Sequence, residues 1–469
     1  MLRQRRTGPR GVMKWTVPAA FVAAAALPAL GAGWNTGVGG NPTRDGRSPF
    51  LAPDQPEILW QGGLSAIVSQ QAVIDGDIMV VSRISSFDIP TGTWIVAHDL
   101  TSGDILWKQQ LPYDFPGQSW RSKTSAIRDG HVYATRAGNT NQDYLYALDE
   151  NNGKIVWKSE DLIDESTTES LSFTDNGDLV VGNFTSVMRI SKDDGTTVWM
   201  SPRSSPTSGG SEIAVFGDRC YGWEAGASGP KITAWDVNTG AELYSSPGIS
   251  PGYIQQIGLL VGPDGTVYAP RAMNNPATDF FVALDDTGTA FKEKWRVEMG
   301  YTPFASFGVG PDGTVYTYSR DLEVIRLDPE TGEILDTSMA LGDNSPRMAI
   351  DAQGRVFVTN GGFDNGQLFA FNADLSKRWV KPLTGNNLGG PAIGPGGIMV
   401  VCGTGTDVRA YQTAPCPADI TGDGVVDVLD LLAVLGAWGD CPGCPQDITG
   451  DGVVDVLDLL EVLAAWGPC

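Results

Sequence analysis

A repeated pattern of turns and short strands runs from about residue 57 to residue 411 and limits the possible folds more than any other feature. Apolar residues alternate with polar ones between Gly, Asn and Asp turns, which predicts four short antiparallel strands per unit. One such sheet buries both faces only between neighbouring sheets, so eight units predict an all-β, eight-bladed propeller. The units open with turns at Gly76, Gly130, Gly177, Gly217, Gly265, Gly313, Gly354 and Gly397.

The two ends of the repeat region complement each other. The eighth unit contains the strands GGIMVVCG and DVRAYQ but reaches a linker before any outer strand with a Trp. Residues 57–61, which include Trp60, provide such a strand at the other end. We therefore expect this N-terminal strand to close the ring and leave no open edge.

A second signature, A-x-D-x-x-T-G-x-x-x-W, ends most units and is clearest in residues 147–157 and 234–244. It resembles the pyrroloquinoline-quinone-like propeller repeat of the quinoprotein alcohol dehydrogenases. In such a turn the Asp bonds backbone amides, Gly takes a positive φ, and Trp packs between blades. Those enzymes also carry a vicinal cysteine pair and a calcium ion beside the cofactor. This ring has only the separated Cys220 and Cys402, so the quinone is not expected here.

No catalytic residue can be assigned from the sequence. His98 and His131 are the only histidines, which excludes a multi-histidine zinc site, and both fall in strand patterns where a structural role is expected. The abundant carboxylates leave a glycoside-hydrolase pair open, although turn capping explains most of them. Cys220 and Cys402 could pair in an oxidising compartment.

Residues 1–32 are typical of a secretory signal peptide, since basic residues precede an Ala-rich apolar stretch and Ala29 and Gly31 suit a cleavage site. The alternative is a membrane anchor, but the stretch is shorter than the about 20 residues that a spanning helix needs. A lead-in at residues 33–56 follows. We expect a secreted or extracellular protein, periplasmic or attached to the cell surface, with no membrane span. The net charge of −23 disfavours nucleic acid as a partner.

A fourteen-residue segment, DITGDGVVDVLDLL, occurs twice without change at residues 419–432 and 447–460. Asp at loop positions 1, 5, 9 and 12 with Gly at position 6 is the ligand spacing of an EF-hand calcium loop. Two calcium ions are therefore predicted, and two acidic turns that bind nothing are the alternative. The predicted ligands are Asp419, Thr421, Asp423, Val425, Asp427 and Asp430 in the first loop and Asp447, Thr449, Asp451, Val453, Asp455 and Asp458 in the second.

The loops belong to a tail module, residues 416–469, which follows a linker at residues 412–415. Paired loops with Asp at position 12, each followed by an apolar helix, resemble a type I dockerin. The resemblance implies calcium-dependent binding to a cohesin module. It also implies that positions 10 and 11, which are Val428, Leu429, Val456 and Leu457, help to choose the partner. Alternatively, these residues pack the core of the module itself.

Four cysteines bracket the two repeats: Cys416, Cys441, Cys444 and Cys469. Cys416 precedes Cys441 by 25 residues, and Cys444 precedes Cys469 by the same number. One disulfide closing each repeat is the simplest of three connectivities. Zinc bound by all four thiolates is the rival interpretation.

These features favour a secreted, non-enzymatic binding protein. Its propeller would bind a protein or glycan, and its calcium-dependent tail would attach it to a cohesin-type scaffold. The alternative is an extracellular enzyme, either a degenerate quinoprotein or a carbohydrate-active propeller, which the same tail delivers to a polysaccharide-degrading complex. In a third interpretation the two loops only cap their own propeller.

Overall fold

The computed structural model describes residues 33–89, 91–114, 116–138, 141–164, 171–204, 212–249, 258–271, 275, 279–421 and 425–468. Eight four-stranded antiparallel sheets form the predicted eight-bladed propeller, and two short α-helices lie in the tail. The predicted signal peptide, residues 1–32, lies outside the described residues.

The strands of each blade are given from the innermost to the outermost. Blades 1 and 2 contain Val73–Asp75, Ile78–Ile84, Thr93–Asp99 and Ile105–Gln109, then Lys123–Arg128, His131–Thr135, Leu145–Asp149 and Ile155–Lys158. Blades 3 and 4 contain Ser172–Phe173, Leu179–Gly182, Ser186–Ile190 and Thr197–Pro202, then Ala214–Phe216, Arg219–Glu224, Lys231–Asp236 and Glu242–Ser245.

The second half of the ring has the same order. Blades 5 and 6 contain Leu260–Val261, Val267–Arg271, Phe280–Asp286 and Phe291–Glu298, then Gly308–Val309, Val315–Tyr318, Glu323–Leu327 and Ile334–Ala340. Blades 7 and 8 contain Arg347–Ile350, Val356–Thr359, Asn365–Phe371 and Lys377–Thr384, then Ala392–Ile393, Met399–Cys402, Val408–Thr413 and Pro56–Gly62.

The opening turns behave as the repeat predicts. All eight opening glycines, from Gly76 to Gly397, have positive φ, between 53° and 90°. Residues other than Gly rarely adopt this backbone conformation. Each turn therefore requires Gly to join the first strand tightly to the second. We call the side of the ring with these turns the lower face. The upper face carries the loops that join second to third strands and one blade to the next.

The Trp of the signature joins neighbouring blades. The Trp157 indole donates a 3.0 Å hydrogen bond to the carbonyl of Lys192 in the next blade, and the same ring covers Gly195. The Trp60 indole donates to the Leu100 carbonyl at 2.8 Å in the same way. The packing role predicted for these residues is confirmed.

The N-terminal strand Pro56–Gly62 pairs antiparallel with Val408–Thr413, in register from Pro56 opposite Thr413 to Gly62 opposite Val408. A bulge between Ile58 and Trp60 interrupts the ladder. The outermost strand of blade 8 therefore comes from the opposite end of the propeller sequence.

The lead-in is more than a linker. Residues 33–48, which we call the plug, are almost entirely buried, and Trp34 has no exposed surface. The plug hydrogen-bonds to the innermost strands just before their opening turns, so it lines the central channel at the lower face. In blades 1 to 4 the contacts join Trp34 to Ile74, Asn35 to Ile127, Pro42 to Ser172 and Pro42 to Val215. In blades 5 to 8 they join Thr43 to Val261, Asp45 to Val309, Gly46 to Ile350 and Ser48 to Ile393.

The order of these contacts follows the order of the blades. The plug thus winds once around the inside of the ring and satisfies backbone groups that would otherwise face the channel. Asp45 holds the path in shape, since its carboxylate accepts from the Asn41 amide at 2.6 Å and from the Arg47 guanidinium at 2.7 Å. The plug therefore occupies the lower end of the central channel.

The tail module has internal pseudo-symmetry. Helices α1 (Val428–Gly436) and α2 (Val456–Ala464) each follow one loop. The loop strand Val425–Val426 pairs with Gly467–Pro468, and Val453–Val454 pairs with Gly439–Asp440. Each loop is therefore paired with the segment that follows the other helix. The core between them contains Ala418, Val426, Val434, Val454 and Val462.

The expected disulfide arrangement is wrong. Cys441 is bonded to Cys444, with 5.6 Å between their Cα atoms, so no bridge joins Cys416 to Cys441. The connection of the two repeats forms a tight turn at Pro442 and Gly443 that brings the two sulfurs together. Cys416 is also disulfide-bonded, while Cys469 lies outside the described residues. Disulfide formation at these positions also removes the basis for a four-thiolate zinc site.

Cys220 and Cys402 are both free and fully buried. Burial raises the pKa of each thiol to about 12, which keeps both neutral and unreactive. They are packing residues of the ring.

Candidate functional site

The two tail loops bring the residues at their ends together. In the second loop, Asp458 accepts the Thr449 amide at 2.9 Å and the Thr449 hydroxyl at 3.1 Å. Asp447 accepts the amides of Asp451 at 3.1 Å and Gly452 at 2.8 Å. Positions 3 and 12 of the predicted ligand set are therefore in contact, and position 1 caps the turn at positions 5 and 6.

The first loop has the same closure. Asp430 accepts the Thr421 amide at 2.9 Å, and Thr421 lies 3.4 Å from Asp419 through its hydroxyl. Asp423, at position 5, lies outside the described residues. The carboxylates of Asp430 and Asp458 are fully buried, whereas Asp427 and Asp455, which cap the helices, are only partly buried.

Backbone amides hold the buried carboxylates in their ionised form. The amide of Asp427 is the main reason that the pKa of Asp430 is lowered. Burial alone would raise the pKa of Asp458, but the amides of Asp455 and Thr449 outweigh it and lower the pKa. Both position-12 residues thus carry the negative charge that a hard cation requires.

The donor set fits calcium in its chemistry. It consists of carboxylate, hydroxyl and carbonyl oxygens, which are the ligands that Ca²⁺ prefers, and it contains no nitrogen or sulfur. Among the described residues, however, no three His, Cys, Asp or Glu side chains converge closely enough to hold an ion. The carboxylates instead accept backbone amides, so binding requires their second lone pairs or a rotation towards the loop centre.

The predicted partner residues are exposed. Val428, Leu429, Val456 and Leu457 are each about half exposed, so they do not form the core of the module. Sequence reasoning missed the rest of this surface, because a helix that is apolar on every side does not show which stripe is buried. The remaining exposed apolar residues after each loop are Leu432, Leu435 and Trp438, and Leu460, Leu463 and Trp466.

The charge of the tail module is one-sided. Residues 416–469 contain nine Asp, one Glu and no Lys or Arg. An apolar surface of this size is unusual on a protein without partners, and the surrounding carboxylates favour a partner with basic residues.

The upper face of the propeller is the second candidate. Buried arginines brace its loops: Arg83 donates to the carbonyls of Leu64 at 2.8 Å and Gly403 at 3.0 Å. Burial lowers the pKa of Arg83, and the carbonyl contacts stabilise the charged form. Neither histidine contributes to this face. His98 stacks on Trp60 near the C-terminal end of its strand and places Nδ1 2.9 Å from the Gly103 carbonyl.

Residues 50–188, 91–257 and 281–414 match the model of the pyrroloquinoline-quinone-like family described as outer membrane protein assembly factor BamB, and these segments cover well over half of the chain. The chain belongs to this family. The BamB-like region coincides with the ring and stops before the tail module. No curated protein matches the chain.

Solved structures share the fold. The quinohemoprotein alcohol dehydrogenase from Comamonas testosteroni is 14% identical, with a TM-score of 0.57 over 83% of this chain and 82% of that one. A europium-containing methanol dehydrogenase is 13% identical, with a TM-score of 0.52 over 94% of this chain and 98% of that one. The C-terminal WD40 domain of Sif2 is 10% identical, with a TM-score of 0.54 over 78% of this chain and 100% of that one. At such identities the likeness to this BamB-like chain concerns the fold alone.

Within the described residues, no helix has both the length and the apolar character needed to cross a membrane.

Proposed function

We propose that this BamB-like chain is a secreted attachment protein. Its propeller binds a protein or glycan ligand, and its tail module, a type I dockerin-like unit, binds two calcium ions and docks on a cohesin-type scaffold. The N-terminal strand Pro56–Gly62 closes the ring that carries the ligand.

The observation that carries this proposal is the coupling of loop and surface in the tail. Asp430 bridges Thr421 at the start of the first loop and Asp427 at the cap of α1, with both hydrogen bonds at 2.9 Å. A cation that engages Asp430 therefore acts on the helix that exposes Val428 and Leu429. Calcium bound at Asp430 would fix the orientation of α1 and its apolar surface. Calcium bound at Asp458 would do the same for α2.

Calcium titration of the full chain tests the metal site. We expect two ions per chain by isothermal titration calorimetry, and one ion per chain for Asp458→Asn, because a neutral amide cannot replace a closing carboxylate. Asp440→Asn is the matched control, since Asp440 lies on an exposed strand outside both loops. Equal calcium binding by Asp458→Asn and the wild type would remove calcium from the proposal.

Attachment is tested with a type I cohesin module in size-exclusion chromatography. We expect complex formation in calcium and its loss in chelator. The variant Leu429→Asp should weaken the complex more than Asp440→Asn, because it places a charge on the exposed apolar surface. A complex that forms equally well in chelator would show that calcium does not organise this surface.

A further inference from the structure

The disulfide between Cys441 and Cys444 lies directly before the second loop of the tail module. It closes a turn of residues 441–444, which we call the disulfide turn, and the Cys444 amide donates to the Cys441 carbonyl at 3.2 Å across it. Both cysteines are partly buried against the core of the module, whereas Pro442 and Gly443 are exposed. The turn is thus packed on one side and open to solvent on the other.

Two backbone hydrogen bonds connect the disulfide turn to this loop. The amide of Asp447, at loop position 1, donates to the Cys444 carbonyl at 3.1 Å. The Cys441 amide donates to the carbonyl of Gly452, at position 6, at 3.0 Å. The Asp447 carboxylate in turn accepts the Gly452 amide at 2.8 Å. The disulfide turn, Asp447 and Gly452 therefore form a closed ring of covalent and hydrogen bonds around the first half of the loop.

The strand that leads into the turn reinforces this arrangement. Gly439–Asp440 directly precedes Cys441 and pairs antiparallel with Val453–Val454. Val453 is at position 7 and is the predicted carbonyl ligand of the second loop. The segment that the disulfide closes thus positions two members of the predicted ligand set, at positions 1 and 7.

The first loop is not connected to this bond. The amide of its position-1 residue, Asp419, donates to the Cys416 carbonyl at 2.9 Å, as the Asp447 amide does to Cys444. Cys416, however, belongs to a different disulfide. Breaking the bond between Cys441 and Cys444 therefore acts directly on the second loop and leaves the first as an internal reference.

We propose that the Cys441–Cys444 disulfide positions Asp447 and Gly452 for calcium and makes the second calcium site, but not the first, sensitive to reduction. With the bond closed, the ends of the turn are already fixed when calcium arrives. With the bond open, these residues must lose conformational entropy on binding, and the affinity falls by that cost. The inference rests on the proposed calcium binding of the tail and adds a means of regulating it.

A dithiol reductant carries out the step. One of its thiolates attacks a sulfur of the bond and forms a mixed disulfide, while the other cysteine leaves as a thiolate and takes up a proton. The second thiol of the reductant then displaces the remaining cysteine. Two protein thiols and one oxidised, cyclic reductant result, so the reductant supplies both electrons and both protons. The partial exposure of both cysteines gives the reductant access.

The size of the effect follows from the length of the closed turn. The chain-entropy relation for disulfides gives about 20-fold in an equilibrium constant for a loop as short as residues 441–444. The hydrogen bonds of the turn can still form after reduction, so this value is an upper limit. We expect calcium binding at the second loop to weaken about 5- to 20-fold.

Calcium titration calorimetry of the oxidised full chain is the first test. In the double variant Cys441→Ser/Cys444→Ser, one of the two calcium affinities should fall by this factor and the other should stay unchanged. The same pair of substitutions in Asp458→Asn, which is expected to retain only the first site, should leave the remaining affinity unchanged. Ala464→Ser is the matched control, because it places a serine at an exposed position of α2 and keeps the bond.

The second test uses the wild type alone and does not depend on the folding of a variant. The full chain is equilibrated with mixtures of reduced and oxidised dithiothreitol, in saturating calcium or in chelator, and free thiols are alkylated and identified by peptide mass spectrometry. Coupling between two events is reciprocal, so calcium should shift the equilibrium towards the bonded form of Cys441 and Cys444 by the same factor of about 5 to 20. Cys220 and Cys402 are fully buried and should remain unmodified, which reports that the ring stays folded.

The outcomes separate this inference from the calcium proposal. Equal affinities in the wild type and the double variant, equal weakening of both sites, or a redox equilibrium that ignores calcium would overturn the inference and leave calcium binding in place. Absence of calcium binding by the oxidised wild type would overturn the proposed function and this inference together.

Discussion

Replacing Trp34 by Ala tests whether the plug stabilises the whole ring. The indole is fully buried, donates a 2.8 Å hydrogen bond to the Gly37 carbonyl, and packs on Gly40, where an added Cβ would lie 2.7 Å from the ring. Truncation of a buried Trp costs about 3–5 kcal/mol of unfolding free energy through lost transfer energy and cavity formation. For a ring of this size that corresponds to a Tm decrease of about 4–8 °C.

The assay is thermal unfolding followed by far-ultraviolet circular dichroism, which reports the strands of the propeller. Trp438→Ala is the matched control, because it removes the same side chain from a position that is 51% exposed in the tail. We expect the control to leave the Tm of the ring within about 1 °C, as for most exposed substitutions. Equal Tm values for the two variants would refute the reasoning that the plug stabilises the ring.

Three further predictions concern single contacts. Burial lowers the pKa of His98 below its ordinary 6.5, so the folded state disfavours the protonated imidazole. The contribution of neutral His98 to the free energy of unfolding is therefore complete above about pH 6.5 and declines as the pH falls below that value. Urea titrations at several pH values should show this decline in the wild type and a weaker one in His98→Gln. Trp60→Phe removes the hydrogen bond to the Leu100 carbonyl and should lower the unfolding free energy by about 1 kcal/mol in urea. Non-reducing peptide mapping should recover Cys441 linked to Cys444, and a fragment joining Cys441 to Cys416 would contradict the structure.

The repeat and its turns could be predicted because their causes are local. The positive φ of Gly76 belongs to a turn made by residues close in sequence. The cap made by Asp99 is equally local, since its carboxylate accepts the amides of Thr101 at 2.9 Å and Ser102 at 2.8 Å. The same holds for the caps of α1 and α2, which the repeated loop sequence specifies directly.

The plug and the disulfide could not be predicted because their partners are distant or interchangeable. Ser48 bonds to Ile393, 345 residues away, and nothing in a Gly-rich lead-in marks it as a buried segment. Equal spacing made a pairing of Cys416 with Cys441 the simplest choice, but spacing carries no information on the turn that joins Cys441 to Cys444.

The winding of the plug has a consequence for how the chain is assembled. Residues 34–48 precede all eight blades in the sequence, yet their hydrogen-bond partners extend to Ile393 in the last blade. Repeat proteins whose units contact only their neighbours gain stability one unit at a time. Here one short segment contacts every blade in turn, so its contacts are specific for the number of blades. Loss or duplication of a single repeat would shift every later plug contact to the wrong blade. We therefore expect the ring to fold as one unit, after the last blade has been synthesised, and to accept only eight blades.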